Sequence, residues 1–105
     1  MRHITIKGNT YPFRISYRAL KASLRETGLS LNEFDNLDLE HIAILSKEAI
    51  NAGYKFEGKK DVVTLEWVED QLDEDFAILN QISEAMGEEM RTLTEPQEAG
   101  KGEKK

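Results

Sequence analysis

One segment near the middle of the chain constrains the rest: Leu39-Glu40-His41-Ile42-Ala43-Ile44-Leu45-Ser46-Lys47-Glu48-Ala49-Ile50-Asn51-Ala52-Gly53. Leu39, Ile42, Leu45, Ala49 and Ala52 recur at steps of three or four, the signature of one helical face. Ile44 and Ile50 widen that face, so the helix must have neighbours on more than one side. Asp38 is placed to cap its first turn, and Gly53 is expected to end it in a left-handed conformation. The segments before and after are too short or too one-sided to fold alone, so they must pack against this helix.

At 105 residues the chain is expected to form one domain. It has no cysteine, which removes thiol catalysis, disulfides and thiolate metal sites. No apolar run approaches the ~20 residues of a membrane span. No long apolar segment follows Met1, so a secretory leader is not expected and the cytoplasm is the expected location. A net charge of −6 argues against a nucleic-acid partner. The distribution of that charge says more than its sum. Residues 1–25 hold six bases (Arg2, Lys7, Arg14, Arg18, Lys21, Arg25) and no acid, whereas residues 66–90 hold nine acids and no base. Either the two ends offset each other within one copy, or the basic end of one copy meets the acidic end of the next. In the second case Arg14, Arg18 and Arg25 would face Asp70, Asp73 and Asp75.

Residues 2–7 alternate, with Arg2, Ile4 and Ile6 on one side, which predicts a strand with one buried face. Gly8-Asn9 reads as a turn, and Tyr11, Phe13 and Ile15 alternate after it, completing a β-hairpin. Pro12 cannot donate to a ladder and suits an outer edge. Two strands alone are marginal in water, so this hairpin must lie on helices or add strands from another copy. Ser16 caps a helix reaching about Thr27, with Tyr17, Leu20 and Leu24 facing inward and the stem of Lys21 along the edge. Gly28 ends it, and Leu29 takes the apolar place of a Schellman motif. Ser30-Leu31-Asn32-Glu33 fits a capping box opening a short turn with Leu31 and Phe34, broken by Asp35-Asn36.

After the central helix, Tyr54 to Asp61 reads as a loop. Thr64 caps a further helix with Leu65, Val68 and Leu72 in one stripe and Trp67 beside it. Asp73-Glu74-Asp75 is placed to restart a helix on which Phe76, Leu79, Ile82, Met86 and Met90 are spaced by three or four. Gly87 weakens that helix near its end. From about Thr94 the composition becomes polar and aperiodic. The expected fold is therefore α+β: an N-terminal antiparallel β-hairpin packed on three to four α-helices. Residues 1–93 form the domain and 94–105 a disordered charged tail.

Catalytic constellations are missing. His3 and His41 are the only histidines, and no metal-ligand spacing surrounds either. Asp73-Glu74-Asp75 lacks the glycine and closing glutamate of a calcium loop. Gly53 and Gly58-Lys59 match the letters of a phosphate loop, but Lys60 stands where Ser or Thr is needed and a helix precedes it in place of a strand. No cofactor, metal or enzymatic activity is expected. What remains is interaction. The Phe76, Leu79, Ile82, Met86, Met90 stripe is either core, the default, or a docking surface. The position of both methionines at the chain's fraying end suits an adaptable apolar contact.

The layout as a whole resembles a known family. Gly8-Asn9-Thr10-Tyr11-Pro12-Phe13-Arg14 closes a short hairpin, and Tyr17-Arg18-Ala19-Leu20 opens a helix. Glu26-Thr27-Gly28-Leu29-Ser30-Leu31 forms a break. The central helix follows, and then Thr64-Leu65-Glu66-Trp67-Val68-Glu69-Asp70-Gln71-Leu72. This resembles the tail assembly chaperones of long-tailed bacteriophages and prophages, over roughly residues 4–85. The resemblance implies a non-enzymatic protein of the host bacterial cytoplasm, absent from the mature virion. Such a protein binds the tape measure protein and helps recruit tail tube subunits (the major tail protein). It further implies a homo-oligomer, as a ring or helical array. The alternative is a small acidic adaptor or regulatory protein of a mobile element that binds a host protein.

Overall fold

The computed structural model describes residues 2–28 and 38–94, with side chains as far as residue 91. The elements are β1 (Arg2–Ile6), β2 (Asn9–Phe13), α1 (Tyr17–Thr27), α2 (Leu39–Phe56), α3 (Leu65–Glu74) and α4 (Ile78–Thr94). The fold is α+β, as the periodicities predict. The Leu29 contact, the capping box at 30–33, the turn with Leu31 and Phe34, the break at Asp35-Asn36 and the charged tail from residue 95 lie outside the described residues.

The hairpin is antiparallel, with Ile6 opposite Asn9 and Arg2 opposite Phe13. Its turn is Lys7-Gly8, one residue earlier than expected, with φ of 53° and 80°. Two successive positive φ values match the right-handed twist of the strands, and glycine takes the second at no steric cost. Ile4, Ile6 and Phe13 share the buried face, which lies on the helices. In this register Thr5, Thr10 and Pro12 turn their backbone outward, so the proline's missing N–H falls where, among the described residues, no strand pairs. The outer edge of β1 is closed by α4: Gln81 Oε1 accepts from the Thr5 N–H at 2.9 Å, and its amide donates to the Thr5 carbonyl at 2.7 Å. One carboxamide thereby imitates the next strand.

The edge of β2 is closed by α2, whose backbone comes unusually near. The Arg14 N–H donates to the Ala49 carbonyl at 3.0 Å. One helical turn further, a Cβ built on Gly53 would stand 2.6 Å from Pro12 Cβ. Gly53 therefore does not end α2. The helix continues to Phe56, so Tyr54, Lys55 and Phe56, expected in a loop, form its last turn. Ala49 and Gly53 form a notch of small residues that admits the strand. Pro12 is buried in it although it points away from Ile4 and Ile6.

Capping follows the local signals. Ser16, Asp38 and Thr64 each accept from the backbone N–H three residues on, and Gly28 closes α1 at φ 76°. The faces are less faithful to the pattern. Tyr17, expected inward, is 70 % exposed, because α1 turns Ala19, Leu20 and Ser23 to the core. Leu39, counted on the buried face of α2, is 56 % exposed. Asp73 and Glu74 sit in the last turn of α3, not at a helix start. Asp75 breaks the chain, its Oδ1 accepting from the Ala77 N–H and its carbonyl from the Ile78 N–H, so α4 begins at Ile78. The core joins Ile4, Ile6, Phe13 and Ile15 to Leu20, Leu45, Ala49, Ile50, Ile78, Ile82 and Ala85.

Helices α1 and α2 are joined by Lys47, which donates to Glu26 at 2.9 Å and lies 3.1 Å from Glu48. Burial raises the Glu48 carboxyl above its ordinary value. The hydrogen bond from Lys47 lowers it, and nearby Glu26 raises it again. A carboxyl with a raised folded pKa holds its proton more tightly in the folded chain. Stability at this site therefore rises as pH falls from above that raised value to below the ordinary 4.5. Glu48→Gln is expected to raise the melting temperature at pH 7, and the gain should vanish below about pH 4.5. Melts of both proteins across that range would show it; a gain that did not change with pH would assign the effect to packing.

Candidate docking groove

Three elements meet at the end of the molecule where α2 begins. The Asp38 cap starts α2 so that Leu39 and Ala43, one turn apart, face α3. Helix α3 contributes Leu72, and the corner before α4 contributes Phe76. These four apolar side chains line a groove of about 450 Å³, with Leu39 and Phe76 56 % and 59 % exposed. Around them stand four carboxylates: Glu40 from α2, and Glu69, Asp70 and Asp73 from α3. Among the described residues, no base lines the groove.

The expected docking stripe does not stay together. Ile82 is 2 % exposed and belongs to the core, so it cannot present itself to a partner in this conformation. Met86 and Met90 are partly buried and pack on that core, and Leu79 is half-buried. Only Phe76 stands clear, because it precedes α4 and escapes the helix's inward turn. The stripe that α4 buries is Ile78, Ile82, Ala85 and Glu89, which shares only Ile82 with the expected one and otherwise runs one position before it. Glu89 serves there as a buried acceptor, its Oε1 taking the Ile15 N–H at 3.1 Å.

The charged ends are partly matched inside one copy. Lys7 pairs with Glu74, and Arg2 lies near enough to Glu88 to help Arg91 hold that carboxyl below its usual range. Arg14 is half-buried, its guanidinium 4.5 Å above the Phe56 ring. Arg18 and Arg25 are exposed on α1, and Asp70 and Asp73 are exposed on the groove. Among the described residues, no ion pair joins Arg14, Arg18 or Arg25 to Asp70, Asp73 or Asp75.

The residues that the sequence reading missed are Leu39, Ala43, Leu72, Glu40 and Glu69. Their signal was present but ambiguous: a leucine in the position after an N-cap sits at the rim of a helix face, and either side of that rim can be covered. Neither histidine joins the groove. His3 lies 3.3 Å from Glu57, and His41 Nδ1 lies 3.2 Å from Asp38 Oδ1 at an angle that forms no hydrogen bond. Among the described residues, no three His, Asp or Glu side chains converge as metal ligands do. Of these residues, none forms a helix long and apolar enough to cross a membrane. No family of known proteins matches the chain, and no curated protein or solved structure is detectably similar to it.

Proposed function

We propose that this chain is a non-enzymatic assembly chaperone of the phage-tail kind, holding a helical segment of a tape measure protein in the acid-rimmed groove. The groove is the observation that carries the reading. Its apolar floor suits one face of an amphipathic helix, and its four carboxylates suit lysines or arginines flanking that face. The open form favours a segment of a long client over an enclosed small molecule. The layout of hairpin, central helix and Thr64-led helix supports the same reading. On it the protein acts in the host cytoplasm, helps bring tail tube subunits to the coated client, and leaves before the virion is complete.

The test is binding of purified segments of the tape measure protein from the same tail gene cluster, followed by calorimetry. Phe76→Ala and Asp70→Lys should each weaken binding about tenfold, or ~1.4 kcal/mol, without moving the melting temperature. Affinity should fall between about 0.05 M and 0.5 M salt, as exposed charge pairs are screened. Tape measure segments that bind neither wild type nor variants would overturn the reading. Capture of a folded host protein through the same residues would favour the adaptor.

A further inference from the structure

Among the described residues, the charge split does not close within one copy. Pairing with Glu74 and proximity to Glu88 account for Lys7 and Arg2, and Arg14 is spent on the Phe56 ring. The outer face of α1 is left over. Arg18, Lys21 and Arg25 are all exposed there, spaced i, i+3 and i+7. Tyr17 stands beside them, 70 % exposed, with the Lys21 ammonium 5.9 Å from its ring centre. Glu26, the only acid of α1, is turned away to Lys47 of α2. The face is thus a short basic helix bearing one large aromatic ring. The groove is its complement: two exposed apolar side chains, with four carboxylates from α2 and α3 lining the same groove.

We infer that, without a client, the groove is occupied by α1 of a second copy. The Tyr17 ring lies between Leu39 and Phe76, and the three bases meet Glu69, Asp70 and Asp73. An eleven-residue helix is about 16 Å long, enough for three turns of contact. The two surfaces differ, so each joined pair keeps one free groove and one free α1 face. Such a contact propagates into an open chain or closes into a ring. The inference rests on reading the groove as a helix-binding site, and it adds a consequence: a client helix competes with the second copy and releases it.

The experiment uses two double variants of the whole chain, followed by sedimentation velocity at low salt. Tyr17→Ala with Arg18→Ala removes the helix face, and Phe76→Ala with Asp70→Ala removes the groove. All four positions are exposed, so circular dichroism should find both variants folded. Wild type is expected to gain mass steadily with concentration and to lose it at high salt. Each variant alone should remain a monomer at tenfold higher concentration. Their equimolar mixture should stop at a dimer, one intact face in one intact groove. A lysine-rich amphipathic peptide with leucine at every third or fourth position should bind the Tyr17/Arg18 variant, whose groove stays free, more tightly than it binds assembled wild type, and should dissolve the wild-type assembly.

A monomeric wild type, a wild-type dimer that does not grow, or undiminished assembly of the Tyr17/Arg18 variant would each overturn the inference. If the peptide still binds in those cases, the groove remains a client site and only its occupation by a second copy falls. If wild type assembles as expected but no tape measure segment binds, the self-contact stands and the chaperone reading falls.

Discussion

Ile82→Glu is expected to unfold the protein, not merely to weaken its binding. Ile82 is 2 % exposed and lies in the core cluster, on the face of α4 that covers the hairpin. Removing its side chain forfeits about 1.5–3 kcal/mol of apolar burial. Placing a carboxyl there, with no partner and no water, costs several kcal/mol more whether it ionises or takes up a proton. The total is comparable with the ~5–15 kcal/mol that holds a small domain together. Circular dichroism and a thermal melt should find little cooperative structure at 25 °C. Phe76→Ala, only six residues earlier on the same sequence stripe, should melt like wild type, since Phe76 is 59 % exposed. The pair separates core from surface along a stripe whose spacing treats the two alike. An Ile82→Glu variant that folded normally and lost its client would return the docking role to α4.

The second large effect is at the notch. Gly53→Val should destabilise the fold by about 3 kcal/mol, whereas Gly87→Ala should stabilise it by about 1 kcal/mol. Both glycines lie inside helices, where a side chain is ordinarily an improvement. At Gly87 an added Cβ meets nothing within 4 Å, so only the helix preference is felt. At Gly53 it would stand 2.6 Å from Pro12 Cβ and 3.0 Å from the Pro12 carbonyl carbon, and neither can swing aside. Relief requires β2 to move off α2, which also stretches the Arg14 N–H bond to the Ala49 carbonyl. For a domain of this size the expected shifts are roughly 10–20 °C downward for Gly53→Val and about 4–8 °C upward for Gly87→Ala. Denaturant titrations of the two variants would check the sign. A Gly53→Val protein as stable as wild type would mean that the strand and helix do not approach this closely.

Local patterning in the sequence carries the elements themselves and the starts of α1, α2 and α3. A cap and its acceptor lie three residues apart, a helical face repeats within four, and a strand alternates within two. Ser16, Asp38 and Thr64 could therefore be assigned without knowing the rest of the molecule. Where a face is wide or a residue stands at its rim, that local information stops. Tyr17 and Leu39 satisfy the inward pattern, yet both are exposed. Ile82 and Phe76 lie on one sequence stripe, yet one is core and the other lines a groove. Gly53 reads equally well as a helix stop or as a notch. These cases turn on packing between distant elements, because each depends on which neighbour arrives and how closely. The near approach of β2 makes Gly53 a notch, and the corner at Asp75 swings Phe76 toward Leu39. Contacts between residues far apart in the chain are governed by shape and excluded volume, and no short window of sequence carries that information.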